Sequence, residues 1–92
     1  MYRTDLQLAR QALPGGPSAS ELADRADMSI GQLTQIERGE IRPGPKTRAK
    51  LIRVLKLTPE AFDRFWLIAR RAFLERELAK VMGELRPKRA RA

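Results

Sequence analysis

The sequence predicts an all-α fold: a bundle of five helices, the last of them extended. Three observations predict it. Every periodic segment repeats its apolar residues at helical spacing. No stretch alternates apolar and polar residues, with β-branched side chains among them, for long enough to make a strand. Proline, glycine, serine and threonine fall where helices begin and end.

The elements follow in order. Thr4 caps a first helix expected to run to about Leu13, with Leu6, Ala9 and Leu13 on one face. Pro14-Gly15-Gly16-Pro17 stops it, because proline cannot continue a helix. Ser18 or Ser20 caps a short second helix. Glu21 suits its first turn, where the helix dipole favours negative charge, and Leu22, Ala23 and Ala26 form its buried side. Asp27-Met28-Ser29 is a tight turn in which Asp27 takes the left-handed conformation more readily than most residues. Ser29 caps a third helix from about Ile30 to Arg38, with Leu33 and Ile36 inward, and Gly39 ends it. Residues 40–45 form a loop. A fourth helix follows from about Lys46 to Leu55, with Thr47, Leu51 and Leu55 inward and a basic outer face. Thr58, Pro59 and Glu60 open a last helix expected to reach about Leu85. The basic tail 86–92 is expected to be disordered.

Composition narrows the function. The 92 residues fit one small domain. Cysteine and histidine are both absent, which removes thiol nucleophiles, thiolate metal sites and the commonest general base. No phosphate-cradling glycine loop or spaced carboxylate cluster stands in for them, so an enzyme is not expected, nor a cofactor, a metal or a small-molecule substrate. No apolar run approaches the roughly 18–20 residues of a membrane span. No continuous apolar stretch follows Met1-Tyr2-Arg3-Thr4-Asp5, so a secretory leader is not expected and a cytoplasmic location is.

The net charge of +8 is unevenly placed. Residues 38–59 hold seven bases against one acid, and residues 86–92 hold four bases and no acid. Residues 1–37 are net acidic, and residues 60–85 balance. Two local basic zones therefore carry the excess. Such zones attract polyanions, since binding releases counterions condensed on a phosphate backbone.

Two short helices joined by a three-residue turn are the signature of a helix-turn-helix. Glu21-Leu22-Ala23-Asp24-Arg25-Ala26, Met28-Ser29 and Leu33-Thr34-Gln35-Ile36-Glu37-Arg38-Gly39 stand in the order that motif needs. Arg42-Pro43-Gly44-Pro45-Lys46-Thr47, Leu51 and Leu55-Lys56-Leu57-Thr58-Pro59-Glu60 follow. On these residues the chain resembles the Cro and lambda-repressor type (XRE) of DNA-binding domain. The resemblance covers roughly two-thirds of the chain, and the Ile-Glu-Arg-Gly end of the third helix is its most telling part. It implies a repressor-like five-helix bundle whose third helix enters the major groove of double-stranded DNA. Carried over by position, Ser29, Ile30, Gly31, Gln32 and Gln35 would face base edges. Ser18, Ser20, Arg38, Arg42, Lys46 and Arg48 would contact phosphates. The chain departs from the family pattern at three places. Ala19 stands where glutamine is frequent, Asp27 where glycine is usual, and Ile30 with Gly31 where polar residues usually open the reading helix.

The last helix carries two apolar stripes. Phe62, Phe65, Trp66, Ala69 and Phe73 are expected to close the bundle against the fourth helix. Leu67, Leu74, Leu78, Val81 and Leu85, with Met82 beside them, continue past the point where the domain can cover them and predict a homodimer interface. The expected organisation is a helix-turn-helix core over residues 1–58, a closing and dimerising helix over 59–85, and the tail 86–92. The expected function is transcription regulation by a homodimeric repressor. The alternative is a protein-binding module, an antiactivator or antitoxin that sequesters a partner protein, favoured by Ala19, Ile30 and Gly31.

Overall fold

The computed structural model describes residues 4–85, so the tail expectation lies outside the described residues. The described residues are all-helical: α1 (Asp5–Gln11), α2 (Ala19–Arg25), α3 (Ile30–Glu37), α4 (Pro45–Leu55) and α5 (Pro59–Leu85).

The helix starts are built from side chains that satisfy the first backbone amides. At α1 the Gln7 amide donates to Thr4 Oγ1 (3.2 Å) and the Thr4 amide donates to Gln7 Oε1 (2.9 Å). Ser18, rather than Ser20, repeats this reciprocal arrangement with Glu21 at α2. Ser29 caps α3 and Thr58 caps α5. Three boundaries differ from expectation, one of them the end of α3, at Glu37 rather than Arg38. Helix α1 ends at Gln11 instead of Leu13, because the residue before a proline is disfavoured in the helical region. Helix α4 starts one residue early, since Pro45 has the fixed φ that suits a first helical position.

Leu6, Leu22, Ala23, Ala26, Leu33, Ile36, Leu51, Leu55, Phe62 and Trp66 form one buried core. Ala69 is buried as well, while Phe65 and Phe73 are half-buried. Phe62 and Trp66 share this core with Leu51 and Leu55 of α4, while the α5 backbone comes closest to α1 and α3. Small residues permit this: Gly39, at the end of α3, presses on the α5 backbone so closely that a Cβ there would collide with Ala69 and Arg70. Helix α4 is also tied to α5 by a side-chain pair, Arg48 with Asp63.

The first half of α5 completes the core and the second half leaves it. A helix of 27 residues is about 40 Å long. The described chain extends 57 × 23 × 20 Å, with a radius of gyration of 16.2 Å. A compact chain of this size would have roughly 12 Å. Beyond Phe73 only Glu77 is even half-buried. Among the described residues no helix is long and apolar enough to cross a membrane.

Candidate nucleic-acid interface

Helices α2 and α3 pack on each other across a turn closed by the backbone. The Met28 amide donates to the Ala23 carbonyl at 2.9 Å, and the Asp27 amide to the Asp24 carbonyl at 3.1 Å. Asp27 sits at φ 57°, the left-handed conformation the sequence predicts for it. Ala23 is buried at the crossing, where a larger side chain would hold the helices apart.

Leu33, Ile36 and Glu37 face inward, which fixes the opposite face of α3 outward. Ser29, Ile30, Gly31, Gln35 and Arg38 are exposed, and Gln32 is half-buried. Gly31, Gln35 and Arg38 recur at the spacing of one helical face. The Ser29 hydroxyl oxygen is committed to the Gln32 amide as the cap. Neither the Gln32 nor the Gln35 side-chain amide is hydrogen-bonded to another described residue. Glutamine amides presented in this way carry the donor and acceptor pair that matches adenine in the major groove.

The phosphate-contact candidates differ in what else engages them. Lys46 is exposed at the start of α4, and Ser20 is exposed on α2. Ser18 is exposed, but its oxygen is occupied by the Glu21 amide. Arg38 stands 3.7 Å from Glu40, a loose and solvated pair. Arg48 is committed: its Nε and Nη2 each donate to Asp63 at 2.8 Å. That forked bond holds the Asp63 carboxyl below the usual carboxylate range and raises the Arg48 guanidinium further. Arg42 is exposed and lies over the Trp66 ring, its guanidinium carbon 4.6 Å from the centroid.

Two structural relationships around this surface escape a reading of the sequence. Arg10 and Glu37 are buried together, with Arg10 Nε donating to Glu37 Oε2 at 2.8 Å and Nη1 donating to the Pro17 carbonyl at 3.0 Å. Burial pushes the Glu37 carboxyl up, against the opposing pull of the Arg10 hydrogen bond, the Arg10 charge and the Arg38 charge. A signal for the pair exists: each charge stands four residues after a core leucine, Leu6 and Leu33, and so on a buried face. The second is the seat of the loop after α3, where Arg70 Nη1 donates to the carbonyls of Gly39 (3.0 Å) and Glu40 (2.9 Å).

The six residues expected to pair copies, Leu67, Leu74, Leu78, Val81, Met82 and Leu85, are 46–72% exposed along α5. Charged residues of both signs flank them, including the pairs Arg71 with Glu75 and Lys80 with Glu77.

This architecture, an exposed short helix set by a tight turn on a small all-α core, defines a helix-turn-helix. A helix-turn-helix family model matches residues 6–62, more than half of the chain. The chain belongs to the Cro and lambda-repressor type of helix-turn-helix proteins, a family of DNA-binding regulators. No curated protein and no solved structure matches it.

Proposed function

We propose that the protein is a sequence-specific reader of double-stranded DNA that acts as a homodimeric repressor, occupying an operator and so denying it to other proteins. The outward face of α3 carries this reading. Gln35 and Gln32 offer uncommitted amides, Gly31 leaves room for close approach, and Ser29 and Ile30 stand at the leading turn. Ile30 supplies apolar contact for a thymine methyl. Ser18, Ser20, Arg38, Arg42 and Lys46 hold phosphates, and Arg48 joins them by sharing its guanidinium with Asp63. Residues 1–58 then supply the DNA contacts, and 59–85 close the core and pair two copies. Pairing places two reading helices for half-sites about one turn of DNA apart. The test is selection of a preferred duplex followed by a salt titration. Log affinity should fall linearly with log salt, and Gln35→Ala should erase preference at one base pair while leaving the salt slope unchanged. Binding of all duplexes alike by the unmodified protein would overturn the reading.

One observation favours a second reading. Ser20, Glu21, Ala23, Asp24, Met28, Ser29 and the half-exposed Ile30 line a shallow groove between α2 and α3. Its acidic rim suits a protein surface better than phosphate. Under that reading the protein sequesters a partner protein, and Ile30→Asp abolishes the capture while Arg42→Ala leaves it intact.

A further inference from the structure

The loop between α3 and α4 is held by α5. Three successive carbonyls accept from two α5 side chains: Gly39 and Glu40 from Arg70 Nη1, and Ile41 from Trp66 Nε1 at 3.1 Å. Gly39 has φ 78° and sits against the α5 backbone, so the loop is pinned near its start as well. The next side chain along is Arg42. Its guanidinium lies on the Trp66 ring at 4.6 Å, and no ion pair or hydrogen bond from it to another described residue accompanies that stack. Trp66 itself is 4% exposed and belongs to the core, so the platform is rigid. Arg70 also lies 6.0 Å from the same ring and 5.6 Å from Phe73. Trp66 and Arg70 both lie beyond the residues that match the family model.

From this geometry we infer that Trp66 is a positioning residue for DNA binding: it holds the Arg42 guanidinium over its ring and ready for a phosphate, which makes the DNA-gripping loop an extension of α5. The inference rests on the DNA-reading function proposed above. A guanidinium held over an aromatic face by cation–π attraction needs none of its N–H donors for that contact, so they stay available to a phosphate. Ordering it in advance removes the rotamer freedom that binding would otherwise take from a long side chain. The neighbouring carboxylate, Asp63, is forked onto Arg48 and attracts Arg42 only at longer range, with no ion pair between them.

The experiment is a double-mutant cycle on the full chain, with affinity for a selected duplex measured across salt. Arg42→Ala should reduce the salt slope by about 0.9, the value of one lost phosphate contact on B-form DNA. Trp66→Phe keeps an aromatic core residue but removes the indole N–H and half of the platform. It should weaken binding about 3- to 5-fold with the slope unchanged. In the Arg42→Ala background the same change should have no further effect. Additive losses would show that Trp66 acts only through general stability and would overturn the inference. A second variant does not touch the core. Arg42→Lys keeps the charge and loses the planar stack, so it should weaken binding by a similar factor, again at constant slope; wild-type affinity in this variant would also overturn the inference. Trp66 is the only tryptophan, so its emission in the protein without DNA reads the stack directly. Arg42→Ala should shift that emission, and an unchanged spectrum would mean that the stack is not populated. Absence of duplex binding by the unmodified protein would instead sink the DNA-reading function and this inference with it.

Discussion

Arg10 of α1 and Glu37 of α3, 27 residues apart, form a buried ion pair whose side chains are only 10% and 2% exposed. The pair fixes the end of the reading helix to the first helix. The Pro17 carbonyl, just before α2, accepts from the same guanidinium. One arginine therefore joins all three segments that set the position of α3. Removing one partner strands the other charge in the core. Glu37→Ala should destabilise the fold by about 3–5 kcal/mol, whereas the paired replacement Arg10→Met with Glu37→Leu should recover most of it. Urea denaturation of the three proteins measures both values.

The same pair has a pH signature. Burial raises the Glu37 carboxyl above its ordinary value. In the window between the unfolded and the folded value, the folded state binds more protons than the unfolded one, so stability falls as pH rises through it. Glu37→Gln does not titrate there. The stability of wild type minus that of Glu37→Gln should therefore be highest in acid, below the ordinary glutamate range, and should fall as pH rises through the folded value. Denaturation at a series of pH values checks the sign. A difference that rises with pH would mean that attraction to Arg10 outweighs desolvation.

Two left-handed positions flank α3 and should respond oppositely to substitution. Gly39 has φ 78°, and any Cβ there meets the backbone of Ala69 and Arg70. Gly39→Ala should cost roughly 2–5 kcal/mol, the sum of left-handed strain and overpacking. Asp27 has φ 57° and is exposed, with only a loose 3.8 Å contact to Lys50. Asp27→Gly should stabilise by about 0.5–1 kcal/mol as strain is relieved against some added chain entropy. Thermal unfolding of both variants tests the contrast.

The helices and most of the core were legible because they rest on local rules. Leu33 and Ile36 announce a buried face by spacing, Ser29 announces a cap, and Asp27 a turn. What escaped depends on contacts distant in sequence. The partner of Arg10 is 27 residues away, and the seats of the loop, Trp66 on Ile41 and Arg70 on Gly39, are 25 and 31 residues away. The outward placement of Gln35 follows from Leu33 and Ile36 alone. The commitment of Arg48 to Asp63 does not, because a basic residue on a helix surface gives no sign of which acid will meet it.

That commitment yields a gain-of-binding prediction. Asp63 holds two of the Arg48 donors, Nε and Nη2. Asp63→Asn removes the carboxylate charge and releases the guanidinium at the edge of the basic zone. Affinity for duplex of any sequence should rise at low salt, with the salt slope steeper by at most about 0.9. Titrations of random duplex with wild type, Asp63→Asn and Asp63→Asn with Arg48→Ala separate the effect of the released arginine from that of the lost acid. Equal slopes in Asp63→Asn and in Asp63→Asn with Arg48→Ala would remove Arg48 from the phosphate contacts.

The projecting half of α5 supplies the last prediction. Leu74, Leu78, Val81, Met82 and Leu85 are 46–72% exposed on the half of α5 that leaves the core. Each leucine of that kind contributes about 1.5–3 kcal/mol if fully buried, so even partial burial against a second copy stabilises a pair of chains. The flanking charges suit a like partner. Arg71, Arg76 and Lys80 alternate with Glu75, Glu77 and Glu84, so two copies meet without a block of one sign. Leu78→Glu puts a charge at the middle of this surface without touching the core residues Phe62, Trp66 and Ala69. Light scattering should report twice the chain mass of 10.5 kDa for the wild type and a single chain for Leu78→Glu, with unchanged helical content. Affinity for a two-half-site duplex should fall by at least about tenfold, while affinity for a single half-site stays the same, because the reading face is intact. A wild-type chain that stays monomeric at concentrations where it fills both half-sites would show that α5 does not pair two copies.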